Sequence, residues 1–107
     1  MRRGDLVMIA LAGDLGKPRP ALIIQSDLFQ AHPSVTLLPL TSVSRGDLHF
    51  RISVAPDVQN GLRAPAQIMV DKAVTISRAK IREVIGHADA GTMMNVTRTL
   101  ALFLGIA

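Results

Sequence analysis

Two short stretches carry the side chains best suited to chemistry. In "GKPRPALIIQSD", Gly16 to Asp27, Arg19 stands between Pro18 and Pro20. Each proline fixes its own φ and pushes the residue before it toward extended geometry. Arg19 is therefore expected on a stiff extended stub leading a strand, anchored behind by the apolar run Ala21 to Ile24. Ordering a long cationic side chain costs rotamer entropy, and a rigid base lowers the backbone share of that cost. The second stretch is "LTS", which sets Thr41 and Ser42 at the end of another apolar run. A guanidinium offers a planar fork of donors matched to phosphate oxygens, and a nearby hydroxyl can donate to the same group. Together they could stabilise the added negative charge of a phosphorane as an RNA 2′-hydroxyl attacks in line. Removing one such preorganised donor typically costs about two to three decades of rate. The plainer uses are a surface arginine at a strand start, and a Thr-Ser turn bonded to its own backbone.

Other chemistries find little support. HExxH, P-loop, dinucleotide-fingerprint and GxSxG motifs are absent. Glu83 is the single glutamate, which removes a paired-glutamate acid/base site, although Asp5, Asp14, Asp27, Asp47, Asp57, Asp71 and Asp89 are at hand. His32, His49 and His87 are scattered without metal-ligand spacing; His49, on the polar face of an expected strand, is the most accessible. Cysteine is absent, so thiol nucleophiles, disulfides and cysteine zinc sites are excluded. No metal or cofactor is expected, and the cytoplasm is the expected location.

The balance of 12 Lys and Arg against 8 acids gives +4, which favours a polyanionic or acidic partner. At 107 residues and 49% hydrophobic, the chain reads as one domain with a modest core. Its longest apolar run, Leu6 to Ala12, is too short to cross a bilayer, and "MRRGDLVM" does not read as a signal peptide. Phe29, Phe50 and Phe103 are the only aromatics and read as core, so base stacking is not the expected mode of binding.

The elements that must position these residues follow from apolar patterning. "DLVMIAL", "PALIIQ", "VTLLPLT", "LHFRISV" and "AQIMVD" read as strands, with Pro39 implying an edge or a bulge in the third. In "LHFRISV", Leu48, Phe50, Ile52 and Val54 face one way while His49, Arg51 and Ser53 face the other. "SDLFQAHPS" reads as a loop or one helical turn, and "SRAKIREVIGHA" leans toward strand because of Gly86 and its β-branched content. Asp89 is a good N-cap for a helix over residues 90 to 104, with Met93, Val96, Leu100 and Leu104 as its core-facing stripe. Five or six antiparallel strands followed by one helix make a small barrel-like α+β domain.

"RGDLVMIAL", "GKPRPALIIQSD", "LLPLTS", "QIMVDKAVTISRAKIREVIGHAD" and a final "LFLGI" together resemble the MazF/PemK family of bacterial toxins, in the right order over nearly the whole chain. The resemblance implies a single toxin domain over residues 1–107, folded as a small SH3-like antiparallel β-barrel with a C-terminal α-helix. It implies a homodimer that cuts single-stranded RNA at short sequences without metal, and a cognate antitoxin whose disordered acidic tail fills the RNA groove. The family's catalytic arginine and threonine map onto Arg19 and Thr41, and Lys17, Ser42, His49, Arg51 and Asp71 are the expected RNA-binding residues. The stretch from Ala12 to Lys17 is short and lacks the family's Gly-x-Glu-Gln run, and Met69 stands where some relatives carry an arginine. A competing reading within the same superfamily is a CcdB-like DNA gyrase poison acting through the C-terminal helix. Those proteins end in Trp-Gly-Ile, whereas this chain has Leu104-Gly105-Ile106 and then Ala107.

Overall fold

The computed structural model describes residues 1–10, 17–42 and 50–106. Its strands are β1 (Asp5–Ile9), β2 (Arg19–Ile23), β3 (Ser34–Thr41), β4 (Arg51–Val54), β5 (Ala66–Met69), β6 (Val74–Ser77) and β7 (Ile81–His87), followed by helix α1 (Ala90–Leu104). Every strand pairing is antiparallel, in the order β4-β5-β3-β2-β1-β7, with β6 added to β3. The sheet curls into a barrel-like form that stays open, since β4 and β7 occupy its two ends. The expected α+β class, with antiparallel strands and a terminal helix, is the one observed.

The near-continuous apolar runs of β1, β2 and β3 are explained by burial on both faces. One face packs Leu6, Leu22, Leu38, Leu40, Ile52 and Ile68 around Val96 of α1. The other gathers Val7, Ile9, Ala21, Ile23, Val35 and Leu37. Strand parity decides which cluster a residue joins, even numbers on the first face and odd on the second across these three strands.

Several sequence expectations are corrected. Arg19, expected just ahead of the strand, is the first residue of β2, with Arg19 opposite Ile9 and Pro20 opposite Met8. β3 is an inner strand, not an edge. It accommodates Pro39 because pairing with β6 stops at Leu37 and pairing with β5 starts at Leu40, so no ladder bond is asked of Pro39 on that flank. The stretch "VTIS" forms the additional strand β6, and "AQIMVD" leaves strand geometry after Met69 for a 3-10 turn, Val70–Lys72. Residues 48 and 49 of the expected fourth strand lie outside the described residues. Phe50 is half-buried against the core, but Phe29 and Phe103 are 57% and 51% exposed.

Helix α1 begins and ends on recognisable local chemistry. The Asp89 carboxylate accepts from the Thr92 backbone N–H at 2.6 Å. At the other end Gly105 takes φ +75°, and the Ile106 N–H reaches back to the Ala101 carbonyl at 2.9 Å. Val96 is buried and Met93 and Leu100 pack beside it, whereas Leu104, expected in the core, is 56% exposed. Among the described residues no helix is long and apolar enough to cross a membrane.

The hydrogen bond from Thr92 holds the Asp89 carboxyl below its ordinary value of 3.8. A depressed carboxylate stabilises the fold above that ordinary value, and the contribution fades as pH falls through the lower folded-state value. Asp89→Ala should therefore lower the melting temperature by a few degrees at neutral pH. The gap from the parent should close once pH drops well below 3.8, as followed by thermal circular dichroism.

Candidate active site

The site is set by strand register. In the β2–β3 ladder Ala21 faces Pro39, Leu22 faces Leu38 and Ile23 faces Leu37. Carried two places further, the same register sets Arg19 opposite Thr41. Both side chains are half-buried, and with exposed Ser42 they line a cleft of about 580 Å³. Pro18 and Pro20 flank Arg19 in the same wall, as the sequence suggested. Lys17 is exposed immediately before Pro18 and does not line the cleft.

The facing wall comes from the connection between β4 and β5, which supplies Arg63. A buried asparagine shapes that segment. The Asn60 Nδ2 donates to the Ala55 carbonyl at 2.9 Å, and its Oδ1 accepts from the backbone N–H groups of Asp57 and Leu62, each at 3.0 Å. Two glycines then let it lie flat on β7. Gly61 has φ +70°, and a Cβ there would collide with the Ile85 carbonyl; a Cβ on Gly86 would strike the Asn60 backbone and approach the Gln59 oxygen to 2.6 Å. The His87 N–H donates to that same Gln59 carbonyl at 2.9 Å. β7 also contributes Glu83 to the cleft. A shallower hollow of about 310 Å³ shares Ser42, Pro65 and Ala66 with the cleft, and Gln67 beside it keeps a buried Oε1 without a hydrogen-bond partner.

Arg51 and Asp71 are brought together, but with each other. The Arg51 Nε and Nη2 donate to the two Asp71 oxygens at 3.0 and 3.4 Å, and neither residue is among those lining the cleft. Their side chains are 9% and 14% exposed, and the Arg51 guanidinium carbon lies 5.8 Å from the Phe50 ring centroid. The fork that could grip phosphate grips a carboxylate instead, which gives the pair a structural part in this fold. His49 lies outside the described residues. Asp5 of "RGD" likewise has a structural part. It accepts from the Arg2 N–H at 2.9 Å and lies 3.0 Å from His87 Nδ1, fastening β1 to β7.

Sequence reasoning missed Arg63 and passed over Glu83. Arg63 lies between the expected strands "LHFRISV" and "AQIMVD", in a stretch with no motif of its own, and Glu83 was weighed only as half of a glutamate pair. The signal that could have found Glu83 is that a strand reading of "IREVIG" brings its lone acid into the same sheet as Arg19.

If the two glycines hold the Arg63 wall in place, Gly86→Ala should separate the segment from β7. The expected outcome is a marked loss of thermal stability together with faster amide exchange in residues 57 to 62 than elsewhere, read by hydrogen–deuterium exchange. Uniform exchange with parental stability would show that the wall does not depend on this contact.

Comparison with known proteins agrees with this architecture. The family described as PemK-like, MazF-like toxin of type II toxin–antitoxin system matches residues 2–104. A protein of Mycolicibacterium smegmatis named "Probable endoribonuclease MazF" is 40% identical, covering 100% of this chain and 99% of that protein. Among solved structures, a mycobacterial endoribonuclease in complex with its cognate antitoxin superposes with a TM-score of 0.84 at 20% identity, covering 100% of this chain and 97% of that one. The Mycobacterium tuberculosis toxin MazF-mt6 gives 0.82 at 24% identity, covering 96% and 98%. This chain belongs to the PemK-like, MazF-like toxins of type II toxin–antitoxin systems.

Proposed function

We propose that the protein is the RNA-cleaving toxin of its toxin–antitoxin pair, a sequence-specific endoribonuclease that acts on single-stranded RNA without a metal. What supports this reading is that Arg19 and Thr41, at matching positions when the β2–β3 register is extended, line one cleft together with Arg63. A scissile phosphate seated between them meets a guanidinium fork and a hydroxyl on one side and a second cation on the other. As the 2′-oxygen bonds to phosphorus, charge accumulates on the equatorial oxygens, where Arg19 and Thr41 can hold it. The P–O5′ bond then breaks, leaving a 2′,3′-cyclic phosphate and a 5′-hydroxyl. A guanidinium keeps its proton at any physiological pH, so Arg19 acts as a charge stabiliser and not as the base. The neighbouring hollow with its unsatisfied Gln67 oxygen suits the strand continuing beyond Ser42. The 40%-identical relative carries the endoribonuclease name, which supports the assignment of activity.

The partners follow from charge and from exposed apolar surface. With a net charge of +4, the cleft face suits a disordered acidic antitoxin segment that folds as it binds, and an antitoxin occupies one of the similar structures. Leu102, Phe103, Leu104 and Ile106 crowd the exposed end of α1, an apolar patch suited to a second copy of the chain. Sedimentation at micromolar concentration should give a dimer; a monomer would count against a groove spanning two subunits.

The deciding experiment is cleavage of single-stranded RNA in EDTA, with the product ends identified. Arg19→Ala should lower the rate by about two decades or more while the protein stays folded. Arg19→Lys should recover part of the loss, because a point charge cannot reproduce the fork. Thr41→Ala should cost less, and Arg63→Ala should act mainly on KM. DNA gyrase should be unaffected throughout. Parental activity in Arg19→Ala, or growth arrest that requires gyrase, would defeat the assignment and return attention to the end of α1.

A further inference from the structure

We infer that Glu83 receives the proton of the attacking 2′-hydroxyl; this rests on the RNA-cleavage reading above. That reading leaves a gap, since neither an arginine nor a threonine is suited to take the proton. A census of the described carboxylates and imidazoles narrows the choice. Asp5 is bound to the Arg2 N–H and His87, and Asp27 accepts from the Arg3 N–H at 2.7 Å. Asp57 accepts from the Asn60 N–H at 2.7 Å, Asp71 holds Arg51, and Asp89 caps α1. The His32 Nδ1 accepts from the Ser34 N–H at 3.1 Å. Glu83 alone among the described carboxylates makes no hydrogen bond or ion pair, and it lines the cleft that Arg19 and Thr41 line. A solvent-exposed carboxylate with no structural bond to keep, lining that cleft, is available for proton transfer.

The sheet gives it a suitable position. Glu83 faces Met8 across the β7–β1 ladder, and Met8 faces Pro20 across β1–β2, so the three share one face of the sheet and line the cleft there. With strands about 4.8 Å apart, the Glu83 and Pro20 backbones are separated by roughly 10 Å. Arg19 and Thr41, at positions of the opposite parity, meet the same cleft where β2 begins and β3 ends. The β1–β7 register also shifts between Met8 and Ile9, and an irregularity of this kind re-aims the side chains beside it. In the resulting step the O2′–H bond breaks with its proton passing to a Glu83 oxygen, and O2′ bonds to phosphorus. The P–O5′ bond breaks, the leaving oxygen takes a proton from solvent water, and Glu83 returns its own proton to solvent. Charge and atoms balance with no further reactant.

The test is steady-state cleavage of a short single-stranded RNA across a pH series, using the full-length parent, Glu83→Gln and Glu83→Asp. Glu83→Gln should lower kcat by about two to three decades, leave KM within a few-fold, and abolish the acidic limb of the pH–rate profile. Glu83→Asp should keep the limb with a smaller loss, which a purely structural role would not produce, and it serves as the test should Glu83→Gln fail to fold. Glu83→Gln cutting as fast as an active parent, or keeping the acidic limb, would overturn the assignment while leaving the nuclease reading intact. A parent inert toward RNA would overturn that reading and this role together.

Discussion

The antiparallel ladder between β2 and β3 sets Ala21 against Pro39 and Ile23 against Leu37, and much of the molecule is conditional on that register. The side-chain period of a strand is two, so a slip by one residue would exchange the two apolar faces and move Arg19 away from Thr41. Such a slip is opposed from both directions. Leu22 and Leu38 belong to the cluster under α1, while Ala21, Ile23 and Leu37 belong to the opposite one. Because both faces are buried, neither parity of the register is free to drift. The positions of Arg19 and Thr41 are thus a by-product of core packing several residues away.

Charge is distributed by the same economy of placement. The fold spends Asp71 on Arg51 and Asp5 on His87, in positions where a half-buried ion needs a partner. Asp57 and Asp89 are spent on orphan backbone N–H groups of a turn and a helix start. The cleft gathers Arg63, Glu83 and the hydroxyls at the end of β3 on one surface. That gathering of ionic and polar side chains, more than the overall charge of +4, distinguishes the cleft from the rest of the surface.

Much of the architecture could be read from the sequence, and the failures have physical causes. Helix α1 was readable because an Asp cap and a spaced apolar stripe agree on where it runs, and the left-handed Gly105 closes it in the structure. β6 was not, since "VTIS" is four residues long and lies among charged neighbours, giving too little pattern to declare itself. Arg19 and Thr41 could be named from their types and motifs, but their opposition needed a register that only tertiary packing fixes. Alternation put Arg51 on the polar side of a strand, but the carboxylate it pairs with is 20 residues further along the chain, beyond any local pattern. Glu83 and Arg63 are joined to the site through the contact between Gly61 and β7, a long-range close approach with no local sequence pattern.

A site that works through fixed dipoles and charges has to hold them in place before substrate arrives, because reorganisation during the reaction would consume the gain. The two walls of this cleft meet that demand in different ways. The Arg19 wall is stiffened from within, by prolines on either side and by ladder neighbours in β1 and β3. The Arg63 wall belongs to an irregular segment with no ladder of its own, so its order is borrowed: Asn60 knots the turn internally and the Gly61–Ile85 contact seats it on β7. β7 is in turn fastened to β1 by the ladder and by Asp5 with His87. The segment carrying Arg63 and the strand carrying Glu83 are therefore joined to each other by backbone contacts and, through the β1–β7 ladder, to the strand beside Arg19.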